Sequence, residues 1–270
     1  MDPSAVAMSR TSPSGVLRVW LLGGFSVNLD GRTIDGSAWR GRKPRSLVKL
    51  LALSLPHPID RERILDLLWP ELSHEAAQNN LRQTVQTVRR VLRSSVSADS
   101  PALRPYGNGL LLWPPDQVWT DVDAFEIAAA NASESRAPAA YRAALDLYVG
   151  DLLPEDEYED WAVGRREALR STRMALLLDL AALHEEAGSA GAAIDALLDV
   201  VAMDPLREDA HARLMRLYAE SRKPHLARLQ YHRLKAALQR ELDAEPEPET
   251  EELYRRIVRG ESGGSARSMA

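Results

Sequence analysis

Asn79, Gln83, Gln86 and Arg90 fall on one side of the run SHEAAQNNLRQTVQTVRRVLR, residues 73–93, when it is wound as a helix, with Arg82, Arg89 and Arg93 flanking them. No acidic residue stands among them. Primary amides can pair with adenine through two hydrogen bonds, a guanidinium can do the same with guanine, and further arginines can hold phosphates. The opposite side gathers Ala77, Leu81, Val85, Val88 and Leu92 into an apolar stripe suited to a protein core. Two readings fit this pattern: a rod that presents base-edge chemistry to a duplex, or the solvated face of an ordinary core helix.

The elements around this rod favour the first. Two short runs, LRVWLLG and FSVNLDG, alternate apolar with other residues at Leu17, Val19 and Leu21 and at Phe25, Val27 and Leu29, with turn signals at Gly23-Gly24 and Asp30-Gly31. Arg32–Ile34 adds a third short run. A first helix is expected after the basic stretch Arg40–Arg45, with Pro44 in its first turn, and it stops before the PHP at 56–58. Asp60 is placed to cap a second helix ended by Pro70, and Ser73 to cap the third. After a polar gap, SSVSADSPA, the run LRPYGNGLLLW reads as a hairpin about Gly107-Asn108-Gly109.

Strands, three helices and a trailing hairpin make a winged helix-turn-helix of the kind found in the output domains of two-component response regulators. Such a unit grips DNA at three points: its third helix in the major groove, the hairpin tip on neighbouring backbone or minor groove, and the front of its first helix on phosphates. Arg104, Tyr106 and Asn108 are the candidate wing contacts. Arg42, Lys43 and Arg45 are candidate phosphate contacts together with Arg89 and Arg93, although a solvated charge run is the competing reading for each.

Charge is divided unevenly along the chain. The net −5 over 270 residues conceals a front, residues 16–115, with 14 Lys and Arg against 8 Asp and Glu, and a back, residues 116–270, with 19 against 30. A local +6 followed by −11 suits a domain that meets nucleic acid joined to one that meets protein. The absence of cysteine excludes disulfides and thiolate metal sites, and no apolar run is long enough for a membrane span or secretion signal, which places the chain in the cytoplasm. None of the sequence patterns GxGxxG, GxxxxGK[ST] or HExxH occurs, and the six histidines show no zinc-ligand grouping. No catalytic residue, metal or cofactor is therefore expected.

From about Trp119 the chain reads as wholly helical, with helices expected near 122–132, 137–149, 158–187 and 249–259. Leu180, Ala181, His184, Ala193, Leu197, Val200 and Pro205 recur 34 residues later as Leu214, Met215, Tyr218, Ala227, Tyr231, Leu234 and Gln239. This is the tetratricopeptide period, with a departure at Gln239. Small residues such as Ala193 and Ala227 let helices approach, and stacked neighbours complete a core that no single pair can close. The stretch GDLLPEDEYEDW holds Asp151, Glu155, Asp156, Glu157, Glu159 and Asp160 without the spacing of a calcium loop, and reads as an acidic solvated loop. Trp161 reads as a packing residue.

The expected fold is mainly α with a small β part: a flexible lead at 1–15, an N-terminal winged helix-turn-helix at 16–115, an all-helical tetratricopeptide-like domain at 116–259 and a disordered tail at 260–270. In that order, LRVWLLGGFSV, GRKPRSLVKLLAL, NNLRQTVQTVRRVL, VDAFE, LPEDEYEDWAVGRREAL and the helical repeat resemble the Streptomyces antibiotic regulatory proteins, in which a winged helix precedes a bacterial transcriptional activator domain. The resemblance spans about residues 16–258. It implies an activator of a secondary-metabolite gene cluster that binds direct repeats in double-stranded DNA, recruits RNA polymerase holoenzyme and self-associates as a dimer through its back half. By the same resemblance, the major-groove residues are Asn79, Arg82, Gln83, Gln86, Thr87 and Arg90. The alternative is a helical-repeat scaffold whose winged helix docks on protein.

Overall fold

The computed structural model describes residues 16–93, 103–112 and 117–260. The expected lead, the polar gap at 94–102 and the tail beyond residue 260 lie outside the described residues. The chain forms two compact units, one holding the described residues up to Ile127 together with Leu147–Glu167, the other Ala128–Asp146 and the described residues from Ala168 onward. The front unit thus takes in residues 117–127 and 147–167, beyond the limit at 115 expected from composition.

In the front unit β1 (Leu17–Trp20) buries Leu17 and Val19 and pairs antiparallel with β2 (Ser26–Leu29), Leu17 opposite Leu29 and Trp20 opposite Ser26. The turn between them is made at Gly23 and Gly24, whose φ values of 75° and 144° side chains rarely adopt. The short β3 (Arg32–Thr33) follows β2 antiparallel. A fourth strand, β7 (Val118–Thr120), joins the other edge of β1 in parallel, giving the order β3-β2-β1-β7. This corrects the expectation that strand structure has ended by Trp119. The strand is only three residues long, and the partner that defines it lies about a hundred residues earlier, so no local alternation announces it.

Three helices follow the first sheet strands in sequence. The first, α1 (Arg42–Leu53), carries Pro44 in its first turn and buries Leu47, Val48, Leu50 and Leu51. Next, β4 (Ile59–Asp60) leads into α2 (Arg61–Leu68), where the Asp60 carboxylate accepts the Glu62 N–H at 3.4 Å as an N-cap. The longest of the three, α3 (His74–Arg93), begins where Ser73 accepts the Ala77 N–H on its carbonyl at 2.9 Å and the Ala76 N–H on its hydroxyl at 3.4 Å. Its buried stripe is Ala77, Leu81, Val85, Val88 and Leu92, with Thr84 and Val91 added.

The hairpin consists of β5 (Leu103–Tyr106) and β6 (Gly109–Leu112), and β4 pairs with β6 to complete a sheet ordered β4-β6-β5. Gly109 sets how closely β4 approaches, because a Cβ there would lie 2.7 Å from the Ile59 carbonyl oxygen. Gly109→Ala is expected to force the strands apart at a cost of about 1–3 kcal/mol, seen as a lower denaturant midpoint. An unchanged midpoint would show that the backbone yields freely.

Thr120 caps α4 (Asp121–Ser135), its hydroxyl accepting the Asp123 N–H at 2.9 Å. Beside it the buried Asp121 carboxylate accepts the Leu21 N–H at 2.9 and 3.0 Å and the Leu22 N–H at 2.9 Å, which ties the end of β1 to the start of α4. Burial raises the Asp121 pKa to about 6 against these opposing hydrogen bonds. A folded-state pKa above the unfolded value of 3.8 means that the folded state holds an extra proton between the two. Asp121 therefore adds stability that is complete below pH 3.8 and is lost as pH rises through about 6. The loss amounts to about 3 kcal/mol. Denaturant titrations across that range are expected to show this decline and to lose it in Asp121→Asn; an identical decline in the variant would assign it elsewhere.

After α5 (Pro138–Leu145) the segment 147–159 rejoins the front unit before α6 (Asp160–Glu186) begins. Leu22 and Leu152 form an antiparallel bridge, the Leu153 N–H donates to the Leu21 carbonyl at 2.9 Å, and the Gly23 N–H donates to the Asp151 carbonyl at 2.9 Å. This is not the solvated acidic loop expected from its composition. Asp156 is buried and pairs with the buried Lys49 of α1, which also bonds Glu155 at 2.8 Å and lies 4.8 Å from the centre of the Phe25 ring. Arg166 holds the segment from below through the carbonyls of Leu152, Asp156 and Glu157 at 2.9, 3.2 and 3.4 Å. Trp161 is half-buried and donates to Glu159 at 2.8 Å.

The back unit is helical: the end of α4, α5, most of α6, α7 (Ala190–Met203), α8 (Glu208–Glu220), α9 (Pro224–Leu242) and α10 (Pro248–Val258). The positions 34 residues apart do what the repeat requires. Leu180, Ala181, Ala193, Leu197 and Val200 are buried, as are Leu214, Met215, Ala227, Tyr231 and Leu234. Pro205 lies just beyond the end of α7, whereas Gln239 lies inside α9, where a proline would break the helix, so the second copy departs at that position. At the far end, α10 packs Ile257 against Met215, Ala227 and Tyr231, and Tyr254 stacks on Tyr231 at 4.0 Å. No helix among the described residues is long and apolar enough to cross a membrane.

Candidate nucleic-acid interface

With its apolar stripe fixed in the core, α3 turns Asn79, Arg82, Gln83, Gln86, Arg90 and Arg93 to solvent and leaves Thr87 half-exposed. The structure therefore brings the sequence-selected reading residues onto one face. Their local bonds are few. Arg82 donates to the Asn79 side-chain oxygen at 2.8 Å, and the Thr87 hydroxyl donates to the Gln83 carbonyl at 3.0 Å. The acid nearest this face by sequence, Glu75, sits in the first turn, where the helix dipole favours negative charge.

The other candidates separate into distinct settings. Arg104, Tyr106 and Asn108 are exposed on the hairpin, and the Asn108 side-chain amide donates to Asp60 at 3.1 Å while the Asn108 main-chain carbonyl accepts the Arg61 N–H at 3.3 Å. At the start of α1, Lys43 and Arg45 are half-buried. Arg42, 59% exposed, already meets Glu159 at 3.1 Å and Asp156 at 3.5 Å. Arg89 does not share the outward face of its neighbours; it is half-buried and its guanidinium donates to the Leu103 carbonyl at 3.2 Å.

Lys49 and Asp60 were missed as residues that shape this surface. For Lys49 a signal existed, since it is the one charge inside the apolar run SLVKLLAL, but its carboxylate partners are more than a hundred residues away. Asp60 was recognised only as a cap; its second bond, to Asn108, depends on how the hairpin folds back.

A family model described as the bacterial transcriptional activator domain matches residues 120–258, just over half of the chain. The chain is 27% identical over 260 residues to the regulatory protein DnrI of Streptomyces peucetius, covering 92% of this chain and 94% of that protein. It is 28% identical over 258 residues to the transcriptional regulatory protein MoaR1 of Mycobacterium tuberculosis, covering 91% and 80% respectively. Among solved structures, Mycobacterium tuberculosis EmbR in complex with low affinity phosphopeptide has the same fold, with a TM-score of 0.69 at 24% identity. That match covers 90% of this chain and 65% of the EmbR chain. The chain belongs to the bacterial transcriptional activator domain family and, with its winged-helix front, to the Streptomyces antibiotic regulatory proteins, a family of transcriptional regulators.

Proposed function

We propose that this chain is a sequence-specific, DNA-binding transcriptional activator whose α3 reads base edges in the major groove. The observation that carries this reading is the outward face of α3, which exposes amides and guanidiniums while its apolar stripe is buried. Asn79, Gln83 and Gln86 supply amides for adenine and Arg90 a fork for guanine. The Asn79 oxygen that accepts from Arg82 keeps a second lone pair for an adenine amine, so Arg82 orients the Asn79 amide while its other N–H groups are free for the DNA backbone. Lys43, Arg45, Arg93 and Arg104 add phosphate contacts, and Tyr106 and Asn108 meet the flanking backbone.

The likeness to the regulatory protein DnrI of Streptomyces peucetius supports a regulatory role, and the family resemblance extends the proposal to a secondary-metabolite gene cluster, binding to direct repeats near promoters and recruitment of RNA polymerase. The back unit supplies the means to hold two copies together on such repeats. Mobility shifts of the full chain on promoter fragments and random duplex test the reading. Specific retardation is expected, with affinity falling on the order of a thousandfold between about 50 and 200 mM salt if about six phosphates are neutralised. No retardation on any duplex at low salt would overturn it in favour of a scaffold whose winged helix docks on protein.

A further inference from the structure

The hairpin that carries Arg104 and Tyr106 is held at both ends by side chains. At its base, the Arg89 guanidinium of α3 donates to the carbonyl of Leu103, the first residue of β5, whose own side chain is buried. At its tip, Asp60 accepts the Asn108 amide at 3.1 Å while it also caps α2, and the Arg61 N–H donates to the Asn108 carbonyl at 3.3 Å. The two anchors join the hairpin to two different helices, and one of those helices is the candidate reading element. Arg82, Arg90 and Arg93 on the same helix are exposed, so the inward turn of Arg89 is specific to that position. A planar guanidinium fixes the direction of the carbonyl it holds more tightly than an ammonium would.

We infer that Arg89 and Asp60 are positioning residues that set the angle of the wing to the reading helix, and that Arg89 acts on DNA through Arg104 and Tyr106 rather than through a phosphate of its own. The inference rests on the DNA-binding reading above. Its physical basis is that a hairpin anchored at base and tip presents its contacts within a narrow range of angles, whereas one freed at the base swings its outer residues off the backbone.

The test uses quantitative mobility shifts and hydroxyl-radical footprints of the full chain on its selected duplex, with Arg89→Gln, Asp60→Ser, Arg104→Ala and the pairwise combinations. Serine retains the cap of α2 but does not reach Asn108. Arg89→Gln is expected to weaken binding on the order of tenfold, to erase the wing's part of the footprint, and to leave base preference unchanged. In the Arg104→Ala background its effect is expected to shrink to the part carried by Tyr106, because the Arg104 contact it positions is already gone. Asp60→Ser is expected to show the same pattern, and it carries the test should Arg89→Gln fail to fold. If Arg89→Gln and Arg104→Ala multiply in their effects while the wing's protection persists, Arg89 holds its own phosphate and the inference is overturned. Failure of the parent chain to retard any duplex would overturn the DNA-binding reading as well, a result distinct from multiplying effects.

Discussion

Asp156→Ala is expected to lower the unfolding free energy of the front unit by about 3–5 kcal/mol, the cost of leaving a buried cation without its buried partner. The side chains of Lys49 and Asp156 are each only 4% exposed. Glu155, the remaining carboxylate on Lys49, is 41% exposed and partly screened by water, so it cannot replace Asp156. The Phe25 ring offers a cation–π contact of about 1 kcal/mol, which softens the loss without reversing it. Because desolvation nearly cancels the attraction in such pairs, the combination Lys49→Met with Asp156→Leu is expected to recover most of the stability. Chemical denaturation of the three proteins checks this. A loss below about 1 kcal/mol in Asp156→Ala would place the pair with ordinary surface salt bridges.

A chain ending at residue 115 is expected to show no cooperative unfolding transition, although it contains every helix and the hairpin of the winged helix-turn-helix. It lacks β7, the Asp121 carboxylate that holds the end of β1, and the segment whose Leu152 bridges Leu22. Val122, Phe125, Leu152 and Leu153 are at most 1% exposed in the front unit and all lie beyond the cut. At about 1.5–3 kcal/mol for each buried side chain, their loss is comparable to the whole stability of a small domain. A chain ending at Glu167 retains all of these groups and is expected to retain a cooperative transition in the front unit. Equal denaturation midpoints for the two truncated chains would show that residues 117–167 are dispensable to the winged helix.

Local chemistry explains why so much of the fold was legible. Asp60 and Ser73 mark helix starts because their side chains satisfy the first amide groups, and the stripe from Ala77 to Leu92 follows the helical period. The repeat in α6 to α9 was legible for the same reason: Ala193 and Ala227 sit where helices touch. What stayed hidden depends on partners far apart in the chain. Nothing near Thr120 reveals the parallel pairing with β1, and nothing in PEDEYED distinguishes the buried Asp156 from its solvated neighbours. The outward face of α3 was legible in full, but the inward turn of Arg89 was not, since a helical wheel assigns a side and not a hydrogen-bond partner.

The most direct measurement of the central claim is the base-preference profile of the parent chain, Gln83→Ala and Arg90→Ala on a randomised duplex pool, read by sequencing the selected DNA. Both side chains are exposed on α3 and contribute nothing to its buried stripe, so each substitution leaves the fold intact. If α3 reads the major groove, each variant loses about 1–3 kcal/mol on the parent's preferred site and relaxes preference at the base pair its side chain contacted. Selection of the parent's sequence with undiminished preference by both variants would show that α3 is not the reading element.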